Sequence, residues 1–227
     1  MAGALPAPVL RSGVLENRWT EAAHAEAYLA VADTLPHRDA ADAALVEQLP
    51  ATLGRVLDLG CGDGRLLALV RSSRPGSSGV ALDFSATMLA GARERFAGVD
   101  DVEVVEHDMA SPLPEMGRFD AVVSSFAIHH LSDGRKREIY GEAFDRLVPG
   151  GPFLNLEHVA SPTERLHRQF LAALDIDPAK EDPSNQLAPV GPQLAWLREI
   201  GFDDVDCHWK WREMALLAGV RPGGLTG

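Results

Sequence analysis

The stretch that decides the fold is Val56-Leu57-Asp58-Leu59-Gly60-Cys61-Gly62-Asp63-Gly64-Arg65-Leu66-Leu67. Its first four residues, mostly apolar, are typical of a short central strand in a parallel sheet that is covered on both faces. Three glycines at alternate positions follow, and they remove side chains where the chain must turn sharply and where a ligand can approach the backbone. The apolar residues beyond them fall at helical spacing. The stretch therefore predicts a strand, a glycine turn and a helix whose free N-terminal N–H groups favour an anionic or strongly polar ligand group.

The spacing of the glycines separates two classes of cofactor. A dinucleotide-binding turn has glycine at its first, third and sixth positions. Here the sixth position is Arg65, which weakens the dinucleotide interpretation. Glycines at the first, third and fifth positions, with Asp58 two residues before the first, resemble the first motif of the class I S-adenosylmethionine-dependent methyltransferases. A strand-to-helix turn that binds no ligand is the alternative that this motif leaves open by itself.

Length, charge and cysteine content narrow the class of protein. The 227 residues have room for one large domain, or for a domain with a small cap. The formal net charge is −12, and the densest basic cluster, Arg135-Lys136-Arg137, is flanked by acids and predicts the solvated face of a helix, so we expect no nucleic-acid partner. No apolar run is long enough to span a bilayer, and Cys61 and Cys207 show no disulfide or metal-ligand spacing. These features predict a cytoplasmic protein without a membrane partner and leave its oligomeric state open.

Two helices are predicted before the first strand. Apolar residues recur at helical intervals from about Glu16 to Asp33 and again from about Asp39 to Leu49. Because both helices precede the first strand, they lie outside the regular winding of a strand-and-helix fold. They are expected to cover the ligand as a lid, with Trp19, His24 or Tyr28 facing it. Simple packing against the domain is the alternative.

Acidic residues follow the next two strands. Ser78–Asp83 is predicted to be a short strand, and Asp83 lies 19 positions after Gly64, close to the spacing at which an acid takes up ribose hydroxyls. A carboxylate suits that task because it accepts two hydrogen bonds from vicinal hydroxyls at once. Phe84 and Met88 come next and are predicted to sandwich an adenine, with a place in the core as the alternative. Residues 102–107 predict a third strand, closed by His107-Asp108-Met109.

The fourth predicted strand leads to two adjacent histidines. It spans Phe119 to Phe126 and runs into His129 and His130. In open sheets of this type the ligand crevice lies at the carboxyl ends of the strands. Imidazole titrates near neutrality, so these two histidines are the candidate general bases of the chain. Adjacent loop residues point in different directions, and we expect His129 to face the substrate, with a purely structural role for the histidines as the alternative.

The fifth predicted strand carries another acid and another histidine to the same edge. It begins at Pro152 and ends in Glu157-His158. A metal site built from these residues and the histidine pair is a possibility by residue type, but the spacing matches no metal-ligand signature. The sequence therefore predicts a polar substrate pocket, with Glu157 and His158 among its walls and no metal.

The remaining chain completes a doubly wound α/β fold. Residues 160–190 interrupt the alternation of strands and helices, and an insertion at the carboxyl edge of a sheet predicts a cap over the substrate pocket. A helix then leads to two strands, 202–211 and 214–220, which a short turn makes antiparallel. The predicted fold is a mostly parallel seven-stranded sheet with an antiparallel C-terminal hairpin, which resembles the Rossmann-like class I methyltransferase architecture. We divide the chain into an N-terminal arm with lid helices, residues 1–50, and an S-adenosylmethionine-binding catalytic domain, residues 51–227.

The resemblance covers about residues 50 to 220 and implies roles for individual positions. The glycine turn would meet the methionine part of the cofactor, Asp83 the ribose, Asp108 and Met109 the adenine, and Ser125 and Phe126 the sulfonium end. The predicted cofactor-binding residues are Asp58, Gly60, Cys61, Gly62, Gly64, Asp83, Phe84, Met88, Asp108, Met109, Ser125 and Phe126. The predicted substrate-binding residues are Trp19, Tyr28, Glu157 and His158.

The function implied by the resemblance is methyl transfer from S-adenosylmethionine to a small-molecule acceptor, leaving S-adenosylhomocysteine. The chain lacks the Asn/Asp-Pro-Pro-aromatic run of members that methylate amino groups of nucleic-acid bases, and the stretch ending in Ile128-His129-His130-Leu131 resembles that of small-molecule members. Oxygen or nitrogen is the expected acceptor atom, with a histidine as the general base. Two alternatives stay open: an S-adenosylmethionine-binding protein with other chemistry or no catalysis, and a nicotinamide-dependent oxidoreductase.

Overall fold

The computed structural model describes residues 19, 21–23, 25 and 35–223. Its strands are β1 (Arg55–Leu59), β2 (Ser78–Asp83), β3 (Val102–Glu106), β4 (Ala121–Ser125), β5 (Pro152–His158), β6 (Asp203–Trp211) and β7 (Met214–Val220). Its helices are α1 (Arg38–Glu47), α2 (Arg65–Ser73), α3 (Ala86–Arg95), α4 (Asp133–Arg146), α5 (Glu164–Ala173) and α6 (Val190–Ile200), with short 3-10 turns at Ile128–His130 and Pro178–Lys180. None of these helices is long and apolar enough to cross a bilayer.

The seven strands form one sheet in the order β3-β2-β1-β4-β5-β7-β6. β1 pairs in parallel with β2 on one side and with β4 on the other, while β7 runs antiparallel to both β5 and β6. The strand order reverses between β1 and β4, which is the position where ligands bind in open sheets of this type. The predicted fold, a mostly parallel sheet with an antiparallel C-terminal hairpin, is confirmed.

Apolar layers cover both faces of the sheet. Leu57 and Leu59 of β1 face a cluster that includes Ile139 and Leu197 from α4 and α6, whereas Val56 faces a second cluster built with α1 and α2. Side chains alternate between the two faces of a strand, so both faces of β1 are apolar because both are covered. The sheet is therefore sandwiched between helical layers, and its carboxyl edge is left for ligands.

Most predicted elements match the observed ones in position. The predicted strands at 78–83 and 214–220 have the observed bounds. The first predicted helix falls largely outside the described residues, as do His24 and Tyr28. The division of the chain at residue 50 stays a prediction.

The basic cluster in α4 was expected on a solvated face, and this expectation is wrong for two of its three residues. Arg135 is 9% exposed and Lys136 is fully buried. Arg135 donates to the main-chain oxygens of Met109 and Ser111 and pairs with Glu142, while the Lys136 ammonium contacts Asp133 and the carbonyl of Gln186. Burying a charge is costly unless it is paired and hydrogen-bonded, and these carboxylates and carbonyls supply the partners. The two cations thereby connect α4 to the surrounding loops.

A chain of buried polar side chains crosses the layer between the sheet and α6. The Tyr140 hydroxyl donates to Gln193 Oε1 at 2.6 Å and accepts from Asn155 Nδ2 at 3.2 Å. Asn155 Nδ2 also lies 3.2 Å from Glu157 Oε2, and Gln193 Nε2 donates to the carbonyl of Ala188 at 2.9 Å. All four side chains are buried. The network therefore joins β5, α4 and α6, and through Glu157 it reaches His129, one of the predicted catalytic residues.

Replacing Tyr140 with phenylalanine tests the energetic weight of this network. Tyr140→Phe leaves a buried amide oxygen of Gln193 without its donor, so the free energy of unfolding should fall by about 1–3 kcal/mol. Urea denaturation measures the change. Ser72→Ala, which removes an exposed hydroxyl from α2, serves as the control and should change stability by less than about 0.5 kcal/mol. Equal stability of the Tyr140→Phe variant and the unchanged protein would contradict the expectation.

Candidate functional site

A cavity of about 270 Å³ lies at the carboxyl ends of β1, β2 and β4. Its walls include most of the residues singled out from the sequence, which come from separate turns of the chain. The predicted residues that line it are Trp19, Asp58, Gly60, Cys61, Gly62, Asp83, Phe84, Met88, Asp108, Met109, Ser125, Phe126 and His130. The cavity lies where the strand order reverses, as expected for a ligand site in this fold.

Four predicted site residues do not line this cavity. Gly64 is the N-cap residue immediately before α2, and a Cβ there would lie 2.5 Å from the ring of Phe96, so packing alone requires glycine. His129 and Glu157 contact each other instead, and His158 contacts Glu213. Tyr28, the remaining predicted residue, lies outside the described part of the chain.

The glycine turn has left-handed backbone conformations that explain its composition. Gly60 and Gly62 have φ angles of 67° and 55°. A Cβ at Gly60 would lie 2.2 Å from the Cβ of Ala127, whereas a Cβ at Gly62 would meet only Met88 Sδ, at 3.8 Å. Gly60 is therefore required by close packing against the turn after β4, and Gly62 leaves open space on the cavity side.

Asp83 fastens the glycine turn to the end of β2. Its Oδ2 accepts from the backbone N–H of Gly62 at 2.9 Å, and its Oδ1 accepts from that of Ser85 at 2.8 Å. Burial nevertheless raises the pKa of this carboxyl above its ordinary value. Each carboxylate oxygen has a second lone pair, so Asp83 can still accept hydrogen bonds from a ligand in the cavity.

Asp58 contributes a buried carboxylate with spare hydrogen-bonding capacity. Its Oδ2 accepts from the N–H of Leu67 at 3.1 Å, across the turn, while its Oδ1 is buried without a hydrogen-bond partner. Burial is the main reason that the pKa of Asp58 is raised from 3.8 to about 7. An unsatisfied carboxylate oxygen in a cavity wall is suited to a cationic or N–H-bearing ligand group.

The two histidines lie in the 3-10 turn Ile128–His130 and point to different sides. His129 places Nδ1 2.8 Å from Glu157 Oε1, and burial lowers the pKa of His129 well below its ordinary value. His130 places Nδ1 3.0 Å from Ser184 Oγ, which in turn donates to Asp182 Oδ1 at 2.7 Å. The two rings are 4.0 Å apart. We expected His129 to face the substrate, but His130 lines the cavity and His129 does not.

His130 combines a neutral ring with an available nitrogen. Burial, followed by the neighbouring His129, lowers the pKa of His130 to about 3. Because Ser184 donates its hydroxyl proton to Asp182, the Nδ1 of His130 has to carry the proton that reaches Ser184 Oγ. This tautomer leaves Nε2 as an acceptor, and Nε2 is buried without a hydrogen-bond partner.

His158 belongs to a second polar cluster, beside α5, and its ring centroid lies 5.5 Å from that of His129. Its Nε2 lies 3.1 Å from Glu213 Oε2, and the same carboxylate lies 3.1 Å from His167 Nδ1. His158 also contacts the ring of Phe170. Across residues 35–223 and the few described before them, no group of three or more His, Cys, Asp or Glu side chains has an arrangement that could hold a metal ion.

The pattern analysis missed several residues that shape the cavity. Three of them, Arg38, Ser184 and Gln186, line the cavity. A fourth, Arg135, donates from Nε to the main-chain oxygen of Met109, which is a lining residue. Gln186 is bound to the histidine turn at two points, through its N–H to the carbonyl of His129 and through Nε2 to the carbonyl of His130. None of these residues belongs to a spaced motif, so only the tertiary structure identifies them.

The raised pKa of Asp58 makes the stability of the ligand-free protein depend on pH. Its folded-state pKa of about 7 exceeds the ordinary value of 3.8, so the folded state binds more protons than the unfolded state between these values. The free energy of unfolding should therefore fall as pH rises from about 4 to about 7, by roughly 4 kcal/mol from this group. Asp58→Asn removes this contribution, and urea denaturation across the range should show a flatter profile. Asp203→Asn, an exposed control, should keep the original profile; identical profiles for Asp58→Asn and the unchanged protein would contradict the assignment.

Comparison with known proteins identifies the family. The model of a methyltransferase domain matches residues 56–151. A demethylmenaquinone methyltransferase of Clavibacter sepedonicus is 34% identical over 193 residues, covering 77% of this chain and 76% of that protein. One from Thermus thermophilus is 37% identical over 133 residues, but the match spans 58% of this chain and only 57% of that protein.

A solved structure supports the same conclusion at the level of the fold. An O-methyltransferase family protein from Burkholderia thailandensis superimposes with a TM-score of 0.71 over 92% of this chain and 63% of that chain, at 23% identity. The family assignment therefore rests on two findings. The sheet carries a glycine turn at the carboxyl end of β1, and a relative matches three quarters of the chain. The chain belongs to the class I S-adenosylmethionine-dependent methyltransferases.

Proposed function

We propose that this protein transfers a methyl group from S-adenosylmethionine to a small-molecule acceptor, with His130 as the base where the acceptor carries a proton. The observation that carries the proposal is that the glycine turn, Asp83, Asp108 and His130 line one cavity. By the resemblance to the family, the glycine turn, Asp83 and Asp108 are positions that would contact the cofactor. The last brings an unprotonated imidazole nitrogen to the same space.

The cofactor residues fit an adenosine laid across successive strand ends. Gly62 provides open space beside the turn for the methionine part, and the free lone pairs of Asp83 are suited to ribose hydroxyls. Asp108 lines the cavity beyond β3 and uses Oδ1 to accept from the N–H of Ala110 at 2.8 Å, so its second oxygen can accept from an adenine amine. Met88 and Phe84 supply apolar walls.

The chemistry assigned to the protein is alignment and proton removal. When bound, S-adenosylmethionine supplies a methyl group that its sulfonium already activates. The chain holds the acceptor in line, excludes water and accepts a proton at His130 Nε2. Burial and the neighbouring His129 lower the pKa of His130 and keep its ring unprotonated in the ligand-free protein, whereas the charges of Asp182 and Glu157 act in the opposite direction and favour the protonated form. His129, held by Glu157, is proposed to position the turn and not to contact the acceptor.

Residues 160–190 are proposed to act as the cap predicted from the sequence. The support comes from the segment Asp182–Gln186, which contacts the histidine turn through Ser184 and Gln186 and contributes both residues to the cavity wall. Trp19, whose ring meets that of His130 edge-on with centroids 5.4 Å apart, supports a lid role for the N-terminal region. Both free cysteines, Cys61 and Cys207, fit the proposed cytoplasmic location.

The relatives suggest where an acceptor search should begin. Two of them are named demethylmenaquinone methyltransferases, which makes an aromatic quinone the first acceptor class to test beside phenols, alcohols and amines. Methylation on a ring carbon would then replace the O or N expected from the sequence. An S-adenosylmethionine-binding protein that transfers no methyl group is the alternative, and failure of every acceptor in the presence of tight cofactor binding would favour it.

Cofactor binding can be measured before any acceptor is known. Calorimetry should detect binding of S-adenosylhomocysteine and none of NAD. Asp83→Ala removes acceptors for the ribose hydroxyls and the anchor of the Gly62 N–H, so the Kd for S-adenosylhomocysteine should rise roughly tenfold to a hundredfold. The exposed Asp203→Ala variant is the control and should bind as the unchanged protein does. Tight NAD binding without a response to S-adenosylhomocysteine would refute the proposed function.

The base assignment is tested with the first O–H acceptor that gains the mass of one methyl group. His130→Ala should lower kcat by roughly a hundredfold or more, because general base catalysis contributes on that scale, while cofactor affinity changes little. The control is His208→Ala, which alters an exposed histidine on β6. If kcat of the His130→Ala variant equals that of the control, His130 is not the base.

A further inference from the structure

The loop segment Asp182–Gln186 is held against the histidine turn at several points. The N–H of Gln186 donates to the carbonyl of His129 at 3.0 Å, and its Nε2 donates to the carbonyl of His130 at 2.7 Å. The Gln186 carbonyl accepts from the ammonium of Lys136, a fully buried residue of α4. These contacts hold the main chain of the loop beside the ring of His130, within reach of the side chains that the loop carries.

Ser184 connects the ring of His130 to a carboxylate. It is buried, and its Oγ lies 3.0 Å from His130 Nδ1 and 2.7 Å from Asp182 Oδ1. The N–H of Ser184 also donates to Asp182 Oδ1, at 2.9 Å, so the loop backbone fixes the carboxylate opposite the hydroxyl. A serine hydroxyl has one proton, and an ionised carboxylate can only accept. Asp182 therefore takes that proton, and Ser184 Oγ is left to accept from His130 Nδ1.

The direction of these hydrogen bonds decides which nitrogen of His130 can act as a base. A neutral imidazole carries one proton, and the hydrogen bond made by one nitrogen determines which tautomer is present. With the proton on Nδ1, the other nitrogen, Nε2, keeps its lone pair and is buried without a hydrogen-bond partner. The other tautomer would place a hydrogen on Nε2, for which the described atoms offer no acceptor. It would also leave Nε2 unable to take a proton.

We propose that Asp182 and Ser184 are positioning residues, which hold His130 in the tautomer that accepts a proton at Nε2. The inference rests on the proposed function for its catalytic meaning, because it concerns the base of the same site. The tautomer itself is a property of the ligand-free protein and can be measured separately. Both residues belong to the loop that completes the cavity, so His130 is ready to act as a base only when this loop is in place.

The tautomer of His130 can be measured by NMR without a cofactor or an acceptor. In the isotopically labelled full chain, the two ring nitrogens of a neutral histidine differ in chemical shift according to which one carries the proton. His130→Gln identifies the His130 signals by their loss. In the unchanged protein we expect the Nδ1–H form to exceed the Nε2–H form by roughly tenfold or more, because only the Nδ1–H form makes the hydrogen bond to Ser184 Oγ.

Two substitutions should change this ratio for different reasons. Ser184→Ala removes the acceptor for the Nδ1 proton. Asp182→Ala keeps the serine hydroxyl but frees its proton to be donated to Nδ1, so the contact persists with its direction reversed. In each variant the ratio of the Nδ1–H form to the Nε2–H form should fall by roughly tenfold. Ser184→Thr keeps a hydroxyl and should retain the Nδ1–H form.

Asp177→Ala is the matched control for the tautomer. Asp177 lies in the same region of the chain and accepts from the N–H two residues later, that of Ala179, as Asp182 accepts from the N–H of Ser184. It does not line the cavity. The ratio of the two tautomers in this variant should equal that of the unchanged protein.

The catalytic consequence is measured with the first O–H acceptor that gains the mass of one methyl group. In Ser184→Ala and in Asp182→Ala, kcat should fall roughly tenfold or more, with KM within about threefold of that of the unchanged protein. Ser184→Thr should recover most of the loss. Ser72→Ala, which alters an exposed serine of α2, is the control and should keep the original kcat.

Three results would overturn the inference: a dominant Nε2–H form in the unchanged protein, a ratio that neither substitution shifts, or an unchanged kcat in a variant whose ratio has shifted. Circular dichroism identifies a variant that does not fold, and the other substitution then decides. Failure of the unchanged protein to bind S-adenosylhomocysteine would refute the proposed function, and the measured tautomer would be unaffected by that result.

Discussion

Parallel pairing of β1 with β2 and with β4 determines where ligand-facing residues can lie in this protein. The ladder continues beyond the strands, because the N–H of Cys61 donates to the carbonyl of Leu82 and that of Phe126 donates to the carbonyl of Leu156. Each turn at the carboxyl edge is therefore held by its neighbour. The close approach of Gly60 to Ala127 follows from the same pairing, since it brings the ends of β1 and β4 side by side.

Features that depend on local chemistry could be predicted from the sequence. The glycine turn, the acid at the end of β2 and the apolar strands all follow from short patterns, and the comparisons confirm the family and fold that these patterns predicted. Side-chain direction was harder to predict. Neighbouring histidines have similar sequence context, and the 3-10 turn decides that His130 lines the cavity while His129 faces Glu157. Arg38 and Ser184 escaped prediction because their importance depends on contacts across 87 and 54 positions of the chain.

Buried charge is concentrated around the cavity and is balanced locally. Glu157 has its pKa raised to about 7 by burial, although Asn155 and the N–H of His158 donate to it. Such a group contributes little to stability compared with an apolar side chain, but it holds a histidine in one orientation. The same reasoning applies to Arg135, whose contacts with Met109 and Ser111 support the loop that carries Asp108. These residues give the cavity its shape at some expense in stability.

Two separate segments of the chain contribute different walls of the cavity. Residues 58–126 contribute the glycine turn, the acids after β2 and β3 and the end of β4, whereas the wall around His130 is completed by Ser184 and Gln186 from a surface loop. The loop is attached to the histidine turn, and within the described part of the chain neither Ser184 nor Gln186 forms a hydrogen bond with the glycine turn. Substitutions in the loop can therefore reshape one wall while the other keeps its geometry. Under the proposed function, a substitution in this loop would alter the acceptor side of the cavity and leave the residues assigned to the cofactor unchanged.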